Sequence, residues 1–450
     1  MKNLLLSLIY LLIVGSLSAQ SPVLEAYIQT GLSNNLALQQ KNLDVKKSVE
    51  AVRQAKTLFS PTVTFGATYT MAAGGRKIDL PIGDLLNPVY GTLNQLTMSK
   101  AFPQIQNQSI NFLPNNFQET KVKVAYPIFN SDLRYNKEIQ TQLVQSKTAE
   151  KAAYEHELRY QITEAYLQYL QSLEAEKIWT NTQTVLTELK RFNESLVKNN
   201  VATREIVATA DYELSKAENE IFQLRSKQHT VQAYFNFLIN KPLQSDVTMD
   251  TSLLRVVVPA YSTEELITNA TTKRKEFGAL QAGMDAAATA VKLNDANRKL
   301  PDAYIGAETG FQGYGYNWFN GKQAYVLAQV GLTYDLYNGG QTKSKVQLAK
   351  IEAEKLHNQY DQVQQQIALQ IIKAADDLEA ARNGWRTSKN GLNAAEAGFK
   401  IVSNKYKAQQ ALLIEYLDAQ NRVTTARLQV LLAWTDVLVK EAALRQAAGL

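Results

Sequence analysis

"PTVTFGA" (61–67) and "PDAYIGA" (301–307) set proline, glycine and alanine at the same offsets, far apart in one chain. The residues after each proline alternate. In "TVTFGATYT" (62–70), Val63, Phe65, Ala67 and Tyr69 fall on one side of an extended backbone, and Thr62, Thr64, Gly66 and Thr68 on the other. Period-two patterning of this kind describes a strand with one apolar face. It returns in "KVKVAYPI" (121–128), "AYIGAETGF" (303–311) and "VLAQVGLTYDL" (326–336), which predicts four strands.

Tracing outward from the two heptapeptides uncovers a duplication. "AVRQAKTLFSP" (51–61) answers "AVKLNDANRKLP" (290–301), and "YPIFNSD" (126–132) answers "YDLYNGG" (334–340). Nearer the C-terminus, "TREIVATADYELSKAE" (203–218) answers "LIEYLDAQNRVTTARL" (413–428). Internal repetition on this scale governs the fold. The reading is a first repeat over 20–243, a linker over 244–263 and a second repeat over 264–450, each built as helix, strand pair and long helical hairpin. Between the strands lie turn-rich loops. The first, 71–119, is far longer than "GYGYNWFNGK" (313–322), and long loops at one end only suit an outer-membrane barrel.

The rest predicts helix of unusual length. The 450 residues hold only 10 prolines, and 131–200 and 339–410 run uninterrupted with apolar steps such as Leu158, Ile162, Ala165, Tyr169 and Leu173. Such a segment extends about 100 Å at about 1.5 Å per residue. Shorter helices are expected over 205–239 and 264–299. The strand-prone "LLRVVVPA" (253–260) and "NKPL" (240–243) are expected to form a small mixed collar between them.

Composition bounds the function. Met1-Lys2-Asn3 followed by "LLLSLIYLLIVGSLSA" has the layout of a cleavable secretory signal, taken as 1–19. There is no cysteine, which excludes disulfides, zinc thiolates and a lipid attached through cysteine. The net charge of +6 is spread along the chain and argues for solvated faces rather than a nucleic-acid patch. After the leader no stretch approaches the ~18 apolar residues of a helical span. The chain is therefore soluble or a β-type membrane protein. In the second case four strands leave two edges with unpaired backbone in hydrocarbon, so several chains must close one barrel.

Catalytic readings are thin. His156, His229 and His357 have no HExxH pattern or second ligand at i+4, "NWFNGK" lacks the phosphate-loop glycine and Ser/Thr, and Asp376-Asp377 read as solvated helix charges. No enzyme, metal or cofactor is expected.

With "LEAYIQTGLSNNLALQQKNLDVKKSVEAVRQAK" before the first strand, the strand ends "YPIFN" and "YDLYNGG", then "FLINKPL" (237–243) and "LIEYLDAQN" (413–421), the chain resembles the TolC-like outer-membrane efflux family. The resemblance covers nearly the whole mature chain. It implies a mainly α fold with a membrane β-barrel: a homotrimer whose twelve strands form one barrel in outer-membrane lipid, continued through the periplasm as an α-helical barrel. It implies an exit duct of a tripartite efflux or type I secretion system, docked to a periplasmic adaptor protein and an inner-membrane transporter. A non-conducting periplasmic coiled-coil scaffold, or the adaptor itself, is the alternative. Long hairpins alone would fit it, whereas apolar-faced strands do not.

Glu415 and Asp418 are three apart and share a helical face; by spacing alone they are ordinary coil charges. The resemblance makes them an acidic ring at the periplasmic entrance, with Tyr406 and Glu205 as latch residues and Asn199, Asn200, Gln409 and Gln410 as hairpin tips for adaptor contact. The chain departs from the family pattern at Ala411, where a basic residue is expected, and at Asn199 and Gln409, where the tips usually carry glycine.

Overall fold

The computed structural model describes residues 21–316 and 321–450. The expected leader, 1–19, and residues 317–320 of the second loop lie outside them. Its helices are α1 (Pro22–Asn34), α2 (Leu36–Thr57), α3 (Ile82–Leu96), α4 (Ser131–Lys198), α5 (Glu205–Leu238), α6 (Thr263–Lys273), α7 (Lys275–Lys299), α8 (Gln341–Lys407) and α9 (Leu413–Ala448). The strands are β1 (Thr62–Thr70), β2 (Lys77–Leu80), β3 (Gln108–Asn111), β4 (Phe117–Phe129), β5 (Asp302–Tyr314) and β6 (Ala324–Thr333). Helix, two sheet strands and two long helices thus follow one another twice. None of the described helices is long and apolar enough to cross a membrane.

The chain divides into two compact units. The first comprises 21–50, 139–288 and 350–450 and is helical. Leu24 and Ile28 of α1, Leu158, Ile162 and Tyr166 of α4, and Phe235 and Leu238 of α5 form one buried cluster. The Tyr166 hydroxyl donates to the Thr248 carbonyl (3.1 Å) and accepts from the Asp250 amide (2.8 Å), pinning the linker onto this core. A second cluster joins Leu266, Phe277, Ile367, Ile371, Val437 and Leu444.

Two expectations fail here. Residues 253–260 make no strand: a 3₁₀ turn over Thr251–Arg255, capped by Asp250, buries Leu253 instead, and the stretch after it has no ladder partner. The Arg382 guanidinium donates to the carbonyls of Val258 and Pro259, taking the place of a neighbouring strand. The helix expected over 264–299 is broken at Arg274, whose backbone turns extended. Its side chain donates to the carbonyls of Gln446 (3.0 Å) and Ala447 (3.1 Å), so it satisfies the last turn of α9.

The second unit comprises 51–138 and 289–349. Its main sheet is antiparallel in the order β1-β4-β5-β6 and is open in the single chain, with β1 and β6 at the edges. The register sets Phe65 opposite Val122, Val122 opposite Thr309 and Thr309 opposite Val326; two residues along, Val63, Val124, Ala307 and Ala328 form the next row. Directly opposed residues point to the same side, so one face is largely apolar across all four strands. The other face carries Thr64, Lys123 and Glu308 in one row. The strand-to-helix joints of both repeats end in an asparagine cap: the Asn130 Oδ1 accepts from the Leu133 amide (2.9 Å), and the Asn338 Oδ1 from the Thr342 amide (3.5 Å). The 71–119 stretch, expected as loop, contains a β2–β3 ladder and α3.

Candidate functional site

Two features carry chemistry. The first lies in the helical unit, where each long hairpin turns. The chain leaves α4 through Asn200 (φ 54°) and α8 through Gln409 (φ 61°). At the first turn the Val201 amide donates to the Leu196 carbonyl (2.9 Å) and Asn200 to Val197 (3.0 Å). At the second, Gln410 donates to Lys405 (2.8 Å) and Gln409 to Tyr406 (2.9 Å). Both are the paired reverse bonds that end a helix on a left-handed residue. At the first tip that residue is Asn200 rather than Asn199; asparagine tolerates the conformation, while Gln409 adopts it at a cost. Asn199, Asn200, Gln409 and Gln410 are all exposed.

Just inside the turns, Leu186, Leu189, Ala217, Tyr406, Tyr416 and Leu417 are buried together. The Tyr406 ring lies 5.2 Å from that of Tyr416 and 5.9 Å from that of Phe192. Its hydroxyl donates to the Asn193 Oδ1 (2.7 Å), and the Asn193 Nδ2 donates to the Ile206 carbonyl (3.0 Å). Asn193 is fully enclosed. Tyr406 on α8 is thus tied, within one chain, to both arms of the α4–α5 hairpin. Burial pushes its phenol up, opposed by the bond to Asn193.

The acidic residues are placed differently. Glu415, in the first turn of α9, accepts the Leu412 amide through Oε2 (3.0 Å) and so caps the helix. Asp418 is exposed and pairs with Arg422 at 2.9 Å, a partner the sequence reading passed over. Glu205 is exposed in the first turn of α5, next to Ile206. Asp377, read as solvated, instead pairs with Lys440 at 3.3 Å. Asn193 also went unnoticed. Its signal is an amide on the apolar stripe that Leu186 and Leu189 begin.

The second feature is the sheet face. Phe65 (73 %), Val326 (82 %) and Val330 (73 %) are among the most exposed apolar residues of the chain. A soluble sheet turns its apolar face inward against a core. This one leaves it uncovered, with its two edge strands unpaired on the outer side.

Residues 266–450 match the family model described as "Outer membrane efflux protein". The C-terminal part of the chain is thus similar to the outer membrane efflux proteins. Among curated proteins, the outer membrane efflux protein BepC of Brucella suis is 29 % identical over 120 residues, 27 % of this chain and 26 % of BepC. The match therefore spans about a quarter of that relative. Solved structures of similar fold cover nearly the whole chain. The outer membrane protein VceC of Vibrio cholerae gives a TM-score of 0.73 at 16 % identity, over 95 % of this chain and 96 % of VceC. The MtrE outer membrane channel of Neisseria gonorrhoeae, in its open state, gives 0.74 at 16 % identity, over 95 % and 89 %. The chain shares with them a mainly helical fold.

Proposed function

We propose that the chain is an outer membrane efflux protein, a passive exit duct lodged in the outer membrane and reaching into the periplasm, for substrates delivered by an inner-membrane transporter through a periplasmic adaptor. The observation that carries the reading is the sheet: an exposed apolar face across four strands and two open edges, on a chain of efflux-channel fold. Backbone edges cannot stand unpaired in lipid. Three chains closing one twelve-stranded barrel satisfy every edge and turn the apolar face to the hydrocarbon. A coiled-coil scaffold or adaptor in water has no use for that face.

Within the duct, three copies of Glu415 and Asp418 surround the periplasmic entrance and draw in cations. Tyr406 and Glu205 belong to the latch, and the tip residues Asn199, Asn200, Gln409 and Gln410 meet the adaptor. The chemistry is conduction, with no catalytic step. The test is direct: protein extracted from the outer-membrane fraction in detergent should have the mass of three chains, dissociate on heating, and open ion-conducting pores in planar bilayers. A monomer that inserts in lipid, or a trimer that conducts nothing, refutes the reading.

A further inference from the structure

The excursion between β1 and β4 presents a surface that conduction through the duct leaves unused. One side of α3 is stitched to the strap formed by residues 102–107. The Asn87 Nδ2 donates to the Ile105 carbonyl (2.9 Å) while its Oδ1 accepts the Ile105 amide (2.8 Å). Asn94 repeats the clamp on Phe102, at 2.7 and 3.0 Å. Asp84 and Asn107 close the near end through two further bonds, at 3.1 and 2.9 Å. A Cβ on Gly83 would stand 2.4 Å from the Ile105 carbonyl oxygen, so the strap lies against the helix backbone there. These contacts fix the rotation of α3 about its own axis.

Turned outward by that rotation is a seam. Ile82, Leu85, Val89, Thr92 and Leu96 follow the alternating three-four spacing by which one helix packs along another. Leu85 is 69 %, Val89 52 % and Leu96 77 % exposed. No charged residue occurs from Leu85 through Ser99. Pro88 stands off the seam.

We infer that this seam is an interface between copies of the chain, α3 of one packing against α3 of the others above the barrel mouth. The inference rests on the trimeric duct of the proposed function. Charge argues for self-association: on a seam that meets its own copy about a symmetry axis any charge faces its like, and here there is none. A helix lying on a lipid surface carries Lys and Arg on its polar face; this one carries Asp84, Asn87, Asn94 and Gln95 and no cation. Area sets a condition on that contact. Two heptads bury on the order of a few hundred Å² per chain, short of the roughly 800 Å² per partner of a free-standing complex. The seam therefore closes where a shared barrel supplies a high local concentration.

The chain has no cysteine of its own, which makes cross-linking clean. Val89→Cys reports on the seam. Gly91→Cys, whose Cβ would meet nothing within 4 Å, reports on the far side of the same helix. In the intact detergent-extracted protein, a short bis-maleimide should convert more than half of the Val89→Cys chains to covalent dimer, near the ceiling of about two thirds set by one bond per three copies. Gly91→Cys should stay uncross-linked, and adding Leu85→Ser and Leu96→Ser to Val89→Cys should cut the yield severalfold. A particle of three chains in which Val89→Cys links no better than Gly91→Cys overturns the inference and leaves the duct standing. So does a fluorophore on Val89→Cys that lipid-borne quenchers extinguish in proteoliposomes. A particle of one chain removes both.

Discussion

Replacing Tyr406 with phenylalanine removes one oxygen from the hairpin junction and leaves the rings of Phe192 and Tyr416 their packing partner. Asn193 then keeps its bond to the Ile206 carbonyl but loses the donor at Oδ1, in a site with no exposure to water. An orphaned buried acceptor costs about 1–3 kcal/mol. At about 2 kcal/mol the local opening constant rises about thirty-fold, since each 1.36 kcal/mol is a factor of ten. Hydrogen exchange read by mass spectrometry on the detergent-extracted protein should show this as faster exchange in peptides covering 186–196 and 206–217. Peptides from α1, in a different buried cluster, should not change. Adding Asn193→Leu should recover much of the protection, because the orphaned amide goes with it. If Tyr406→Phe exchanges within about twofold of the parent, the hydroxyl is not what ties the hairpins. Ring packing would then account for the junction.

On the sheet, Phe65→Lys or Val330→Lys puts a charge on the face proposed to meet lipid and should cost about 2–4 kcal/mol near mid-bilayer, seen as loss of heat-dissociable trimer from the outer-membrane fraction; Lys123→Ala, on the opposite face, should be tolerated. At the proposed entrance, Glu415→Ala with Asp418→Ala should weaken block by multivalent cations added to the periplasmic side of planar bilayers. Glu415 also caps α9, so Asp418→Ala alone separates charge from a capping loss of about 1 kcal/mol. His156 is held below its ordinary pKa by burial and by the nearby Lys275 and Arg159. Its neutral form is thus favoured by folding, and the stability it contributes is complete above about pH 6.5 and lost as pH falls toward the depressed folded value. His156→Gln should flatten that part of the Tm-against-pH curve between about pH 7.5 and 5.5.

β1 was legible residue for residue, because strict alternation after Pro61 admits no other period. The long helices were legible to within a few residues of their ends, since no proline interrupts them. Arg274 was not, because neither glycine nor proline marks the break; a side chain that caps a helix 172 residues away leaves no local trace. The three valines after Arg255 misled for the opposite reason. Their β-propensity is real, but among the described residues no strand pairs with them. At the hairpin tips, Glu415 and Asp418 could be placed on one face from spacing, but their partners decide their character. Leu412 and Arg422 were close enough in sequence to have been found. Asn193 required knowing which turn of α4 faces α8.

The ladder between β4 and β5 joins Val122 to Thr309, nearly 190 positions apart, whereas every helix closes its bonds within a turn. Contacts so distant in sequence form slowly. As the chain folds, the helices can therefore be complete while the strands still wait for each other. That delay is useful, because a finished sheet in water would offer sticky edges to any passing strand. Slow pairing acts as a clock: the part of the chain most prone to aggregate is the last to acquire the shape that makes it so.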